Sequence, residues 1–367
     1  MNNGYRIPWP YRGMILLGGF YFIAGILAGI WRIAVTRGVG IPSVPLWIPP
    51  HGHLMLGGFL AALIQFERMI GLRINRLVWV PYVYSSTAVL LHTGNRLVLV
   101  LHLVALVGWF IHRWMAYQAF HHAGKPLVES VAYATLSSAL MCQGGPAANP
   151  QAALAAFSFP VAAIAVERLE ISLQFKKKGA IAVLWAIVCW CVLWNAAVWL
   201  RQPALSWMGV TGLLLVIAVA KYDSTLFVSD SVGMQTMHQF HRVALRIAYA
   251  WLISGCVFLA LWNLVPGAIV KDVVFHLFGL GFIFSMILGH APIILPAALG
   301  KLQPKRPVWW PFLIFQFATL LRVGCDFAIL FSLNTWVWSG WVSGLIHLGS
   351  FLTFMAMLAR KVIKGEA

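Results

Sequence analysis

The chain has 367 residues, 61% of them hydrophobic and 10% charged, with a mean hydropathy of +0.84. Soluble domains are about 25% charged, so this composition excludes a soluble domain with an anchor and indicates a polytopic membrane protein. The formal net charge of +17 is no sign of nucleic-acid binding, because the basic residues stand in short segments between apolar runs, where membrane topology needs them.

Tyr5, Arg6, Pro8, Pro10 and Arg12 precede the first apolar run, and no small-residue cleavage site follows, so no cleavable signal peptide is expected. A membrane-spanning helix needs about 20 apolar residues. Runs centred near residues 22, 61, 85, 106, 135, 160, 190, 211, 252, 285, 319 and 348 predict twelve such helices. The third and fifth carry the weakest signal. Polar or Pro/Gly-rich punctuation, as at 38–50, 144–150 and 300–307, separates the runs.

Charge sets the orientation. With the N-terminus inside, the inner segments hold Arg6, Arg12, Arg68, Arg73, Arg76, Arg113, Lys125, Arg168, Lys176, Lys177, Lys178, Lys221, Lys301, Lys305, Arg306, Arg360, Lys361 and Lys364. The outer side holds only Arg32, Arg37, Arg96, Arg201 and Lys271. This asymmetry predicts cytoplasmic N- and C-termini in a bacterial inner membrane. It puts His51, His53 and His92 at the outer face, His102 and His276 in the outer third, and His347 near the middle. His238, His241 and His290 then lie toward the cytoplasm.

The chain also resembles itself. Shifted by 100 residues, Phe59, Ala62, Ile64, Glu67 and Arg68 fall on Phe159, Ala162, Ile164, Glu167 and Arg168. Shifted by 223, His53, Leu54, Gly58, Phe59 and Ile64 fall on His276, Leu277, Gly281, Phe282 and Ile287. These are helices 2, 6 and 10, four apart. Helices 4 and 12 add a second matched pair, Leu101-His102-Leu103 and Ile346-His347-Leu348. The expected fold is all-α: one membrane domain over 1–367, with twelve transmembrane helices in three four-helix arcs, roughly 1–125, 126–225 and 226–367.

Three four-helix arcs with histidines on the outer halves of helices 2 and 10 resemble subunit I of the haem-copper oxidases. The NnrS-like proteins, a twelve-helix haem- and copper-containing family linked to nitric oxide stress, are closer in motif. Their helix 2 carries His-x-His-Glu-Met, and here His51-Gly52-His53-Leu54-Met55 matches with Leu54 in place of the Glu. Their late histidine-led helix is similar to His276 through Gly281 to Gly289-His290, after which Ala291-Pro292-Ile293-Ile294-Leu295-Pro296 departs from the family's polar ending. The motif match covers about two helices, while helix number and size agree along the chain.

Residues i and i+2 of a helix point about 200° apart, so His51 and His53 cannot hold one ion from a regular helix. Either His51 belongs to the loop that Pro49-Pro50 opens, or the two face different partners. The expected haem b ligands are His53 and His276, at repeat-equivalent positions on helices that an oxidase-like arrangement brings together. The alternative is a pair of helix-start histidines satisfied by carbonyls or water. His102 and His347 are candidates for a second haem or a copper, against hydrogen-bonded core histidines. His51 and His92 are outer candidates for copper or propionate contacts.

His276 and His290 stand about 21 Å apart along one helix, so they belong to different sites. His290 is expected to meet His241 near the inner face, as a metal or quinone pocket or as boundary polar residues. Arg322 and Asp326, one turn apart within a helix, form either a self-neutralising pair or, through Arg322, a propionate contact. Glu67-Arg68 and Glu167-Arg168 brace the inner helix ends. The scattered Cys142, Cys189, Cys191, Cys256 and Cys325 contain no CxxC or CxxCH, which excludes covalent haem attachment and leaves them as apolar filling. Helix 6 lacks histidine, and only nine acidic residues are present, so neither a full haem–copper centre nor proton pumping is expected.

These features lead to the expectation of a haem-binding protein, with copper as a second candidate cofactor, serving electron transfer or nitric oxide or oxygen chemistry. An oxidoreductase activity would follow from the latter. Its partners beyond the lipid bilayer would be a quinone, a periplasmic electron carrier or subunits of a respiratory complex, and not nucleic acid. The rival classes are a proton-coupled small-molecule transporter and a cofactor-free structural subunit.

Overall fold

A computed structural model describes residues 9–36, 50–72, 77–120, 125–143, 150–174, 179–200, 204–227, 236–262, 269–298, 301, 303–304, 306–330 and 338–364. Among the described residues every regular element is helical. Several orienting loop charges (Arg37, Arg73, Arg76, Lys176, Lys177, Lys178 and Arg201) lie outside them.

Helical rods stand at each expected position. They are α1 (Trp9–Thr36), α2 (π-helical His53–Leu60 running into Ala61–Leu72), α3 (Val80–Leu90), α4 (Arg96–Phe120) and α5 (Lys125–Gln143). Then come α6 (Pro150–Ala156 and Ser158–Gln174), α7 (Ala180–Leu200), α8 (Ala204–Tyr222) and α9 (Thr236–Ala260). The last three are α10 (Ile269–His276, π-helical Leu277–Ile283, then Phe284–Ala298), α11 (Trp309–Leu330) and α12 (Trp338–Lys364).

Among the described residues nine helices are long and apolar enough to cross a membrane: α1, α4 and α6 through α12. The shortfall at the third and fifth rods matches their weak signal. The α3 helix has 11 residues, and among the described residues of α5 the apolar segment is Leu127–Met141. Gln65, Glu67 and Arg68 stand in the second half of α2. Its position explains how it tolerates them: all eight residues of His53–Leu60 are buried.

The interior helices recur at the same place in the repeat. The most apolar window of α6 is 83% buried and that of α10 is 72% buried, against 28% for α1 and 33% for α12. Around them the chain closes on itself: α4 packs on α5, α8 on α9, and α12 back on α1. Phe284 of α10 ties this centre together, stacking on Phe59 of α2 with ring centroids 5.7 Å apart and also meeting Phe22, Phe315 and Phe351. Phe278 reaches Phe157 of α6 at 5.8 Å. The outward faces stay apolar, with Leu16 74%, Phe20 63%, Leu97 66%, Trp207 70% and Trp310 75% exposed. Apolar surface on that scale is unstable in water and suits lipid tails.

Close approach of two rods depends on one glycine. A Cβ on Gly209 of α8 would strike the Ala260 backbone nitrogen and lie 2.6 Å from the Ala260 Cα of α9. Backbone cannot rotate aside as a side chain can. Gly209→Ala is therefore expected to lower stability by about 1–3 kcal/mol despite its better helix propensity, read as an earlier unfolding midpoint in detergent. Gly212→Ala, whose Cβ meets the Cys256 side chain at 3.0 Å, should cost less. Equal midpoints for the two variants would refute the backbone contact.

Candidate cofactor site

The backbone marks the site first. In the π-helical stretches of α2 and α10 each amide bonds five residues back, as the Ala61 N–H does to Leu56 and the Phe284 N–H to Gly279. The stretches begin at His53 and directly after His276, and in α6 the helix breaks at Phe157. Under the shifts of 100 and 223 residues, these three irregularities coincide. Such wide turns often sit at functional sites, and two of the three carry a histidine.

His51 and His53 face different partners, as their angular separation requires. The His51 Nδ1–H donates to the Gly25 carbonyl of α1 at 2.6 Å. Gly29, one turn on, gives the ring its seat, since a Cβ there would stand 2.9 Å from Nδ1. The His51 ring lies in the field of Arg322, Asp272 and Arg32. The field at His276 comes from Arg322, His51 and His347. The His276 Nδ1–H donates to the Asp272 carbonyl at 2.6 Å. A carbonyl can only accept, so in both rings Nδ1 carries the proton and Nε2 keeps its lone pair. In this arrangement His276 shares its surroundings with His51, while His53 faces the turn after α3.

There the His53 and His92 rings lie with centroids 5.9 Å apart at 71°. His53 is wholly buried, and neither nitrogen finds a partner in good hydrogen-bond geometry; the Leu140 carbonyl makes at most a weak contact. His92 sits in the 3₁₀ turn Leu91–Thr93 that follows α3, ended by left-handed Gly94 (φ 66°). Its Nδ1–H donates to Val89 at 2.9 Å, and its Nε2 is buried without a partner.

Arg322 pairs with Asp326 one turn along α11 and lies 3.8 Å from Asp272. The self-neutralising pair is thus formed, and Asp272 links it to the His276 turn.

His102 and His347 are held alike, but as hydrogen-bonded core groups. His102 of α4 meets Thr87 Oγ1 of α3 through Nδ1 and Ser137 Oγ of α5 through Nε2, each at 3.0 Å. His347 of α12 donates Nδ1–H to Ser343 at 2.7 Å, and its Nε2 meets Thr319 Oγ1 of α11 at 3.1 Å. Each packs on an aromatic ring of the third helix of its unit, Tyr84 at 4.7 Å and Phe315 at 4.6 Å. With both nitrogens engaged, neither ring offers a ligand to a second haem or a copper in this arrangement. The matched Thr and aromatic partners extend the repeat beyond the residues that suggested it.

At the opposite end of the bundle His241 and His290 do meet, edge to face at 4.5 Å and 87°. Their Nδ1 atoms face Gly289 at 3.2 Å and Met286 at 2.6 Å. Rings that share an ion through bonds of about 2 Å stand roughly 5–6.5 Å apart, so these two touch each other directly. Arg168, Glu167 and Asp223 surround them.

The bracing Glu67–Arg68 and Glu167–Arg168 pairs are present, at 3.8 Å and 3.7 Å. Sequence reasoning missed the stronger partner. Glu129 of α5 receives Arg68 at 2.8 Å and Arg113 of α4 at 2.6 Å, with its side chain 1% exposed. One of only nine acidic residues, set in an apolar helix, it was findable by the rule that intramembrane charges are paired. Three cysteines, Cys191, Cys256 and Cys325, are buried and Cys189 is exposed, all unbridged. Among the described residues no three His, Cys, Asp or Glu side chains cluster as a metal site.

A family model described as a domain of unknown function (DUF8744) matches residues 11–360, and the chain belongs to that family. No curated protein and no solved structure matches it.

Proposed function

We propose that this DUF8744 protein is a twelve-span inner-membrane electron-transfer protein that binds one haem b. Its ligands are His51 and His276, from the starts of the interior helices α2 and α10. Three arcs of four helices with both termini cytoplasmic set the frame, and the histidines then lie toward the outer face.

The carrying observation is the matched state of the two rings. Each donates Nδ1–H to a backbone carbonyl, each retains an Nε2 lone pair, and both lie in the field of Arg322. A metal-ligating histidine needs its second nitrogen held in this way, because the bond fixes the tautomer and the ring plane. Haem b, when bound, supplies a one-electron couple. Arg322, held by Asp272 and Asp326, borders both rings.

His51 and His276 would hold the haem and its one-electron couple would serve electron transfer, with a quinone or a periplasmic carrier as partner. The test is the visible spectrum of the detergent-purified full chain: a dithionite-reduced α-band of b-type haem is expected. A colourless chain, after expression with added haem precursor, overturns the reading.

A further inference from the structure

One corner of the bundle gathers cations without carboxylates. Lys301 and Arg306 precede α11, and Arg360 and Lys361 stand near the end of α12. The Lys361 ammonium donates to the Arg306 carbonyl at 2.8 Å and to the Pro307 carbonyl at 3.4 Å. These bonds tie the approach to α11 onto α12, so segments distant in the chain share one place. Membrane topology asks only that cations lie in the connecting segments; it does not ask that the segment be fastened to another helix.

The charge there is open. Lys301, Arg306 and Arg360 are exposed, and among the described residues none of the four cations is paired with a carboxylate. Other arginines of the bundle do have one: Arg68 and Arg113 meet Glu129, Arg168 meets Glu167, and Arg322 meets Asp326. Like charges gathered at one place create a field that draws an anion.

The surface leading from this corner is apolar. Along α11, Trp310, Leu313, Ile314, Phe317 and Leu320 are exposed, recurring at steps of three and four as one helical face requires. Trp310, in the first turn, suits the headgroup level. Along α12, exposed Leu352 and Ala356 stand two turns and one turn before Arg360. Each helix therefore shows an apolar stripe that runs up to a cation. A phospholipid with an anionic headgroup has the same layout, charge above and acyl chains below, and basic corners between membrane helices recognise such headgroups.

We infer that this corner binds one anionic phospholipid. Arg306 and Arg360 take its phosphate, which the planar guanidinium fork matches better than an ammonium does. Lys301 adds charge, and Lys361 holds the two helices together. The inference is independent of the haem reading: lipid retention follows Arg306 and Arg360, and visible absorbance follows His51 and His276.

Native mass spectrometry of the full chain in detergent, mixed with phosphatidylglycerol or phosphatidylcholine, tests it. One phosphatidylglycerol per chain should be retained in preference to phosphatidylcholine, and inorganic phosphate should not displace it. A cation near a membrane surface contributes about 1 kcal/mol, so Arg306→Gln and Arg360→Gln should each weaken retention about 5-fold, and the double variant about 30-fold. Both side chains are exposed, and Lys361 bonds the main chain, so the corner survives these changes. Lys221→Gln, at an exposed cation of α8, should leave retention unchanged. Equal retention of the two lipids refutes the site, as does undiminished retention in the double variant. Displacement of the lipid by inorganic phosphate also overturns it, since a free anion would then be the ligand.

Discussion

His276→Ala is expected to abolish the reduced α-band and haem retention together. Loss of an outer-shell partner costs a metal site roughly 10–100-fold in affinity, and loss of a ligand costs more. His276 is only partly buried and its ring hydrogen-bonds within its own helix, so its removal should leave the fold intact. That separates cofactor loss from unfolding. His51→Ala should have the same spectral effect, although it also frees the Gly25 carbonyl of α1. The discriminating control is His53→Leu, expected to keep the haem spectrum because His53 faces His92 across α2. If the band instead vanished with His53→Leu and survived His51→Ala, the pairing expected from the repeat would be restored and the one drawn from the structure refuted.

Glu129→Gln is expected to produce the largest loss of stability. It leaves Arg68 and Arg113, with side chains 9% and 2% exposed, to share a neutral amide. Removing one partner of a buried ionic network costs about 3–5 kcal/mol, here because both guanidiniums lose the carboxylate they share. For a chain of this size that corresponds to an unfolding midpoint lower by roughly 5–10 °C, measured by size exclusion after heating in detergent. The triple variant Arg68→Met, Arg113→Met, Glu129→Leu should recover most of the loss, since an apolar replacement of a whole buried network is often neutral or stabilising. A midpoint unchanged in Glu129→Gln would mean that water or lipid headgroups reach the pair. Arg113 also lies over the Trp109 ring at 5.9 Å, and Trp109 stacks on His112 at 4.9 Å, so this network anchors the end of α4 as well.

Much of the architecture was readable in advance because it follows from local composition. The apolar runs marked every rod, since a helix in lipid must satisfy its own backbone. The sequence shifts paired α2 with α10 and with α6, but the π-helical stretches that α2 and α10 share and the break at Phe157 appear only in the structure. Helix geometry also required His51 and His53 to part company.

The choice of partner for each histidine was not readable. His53 and His276 are equivalent in sequence, yet equivalence under a repeat relates positions by rotation about the bundle and does not bring them into contact. The neighbour of His53 is the end of α3, 39 residues on in the chain, and the neighbour of His51 is the His276–Arg322 corner between α10 and α11. Glu129 was hidden for the same reason. Its partners come from α2 and α4, and only the packing of α5 between them makes a lone glutamate the centre of a network. Sequence alone therefore determined that the protein is helical and carries multiple apolar helices suited to a membrane, because hydropathy and periodicity are properties of the chain. Tertiary structure decided which imidazoles keep free lone pairs and which guanidinium and carboxylate groups meet, because those depend on the rotation of each rod about its axis, and that rotation is set by packing against neighbours distant in the sequence.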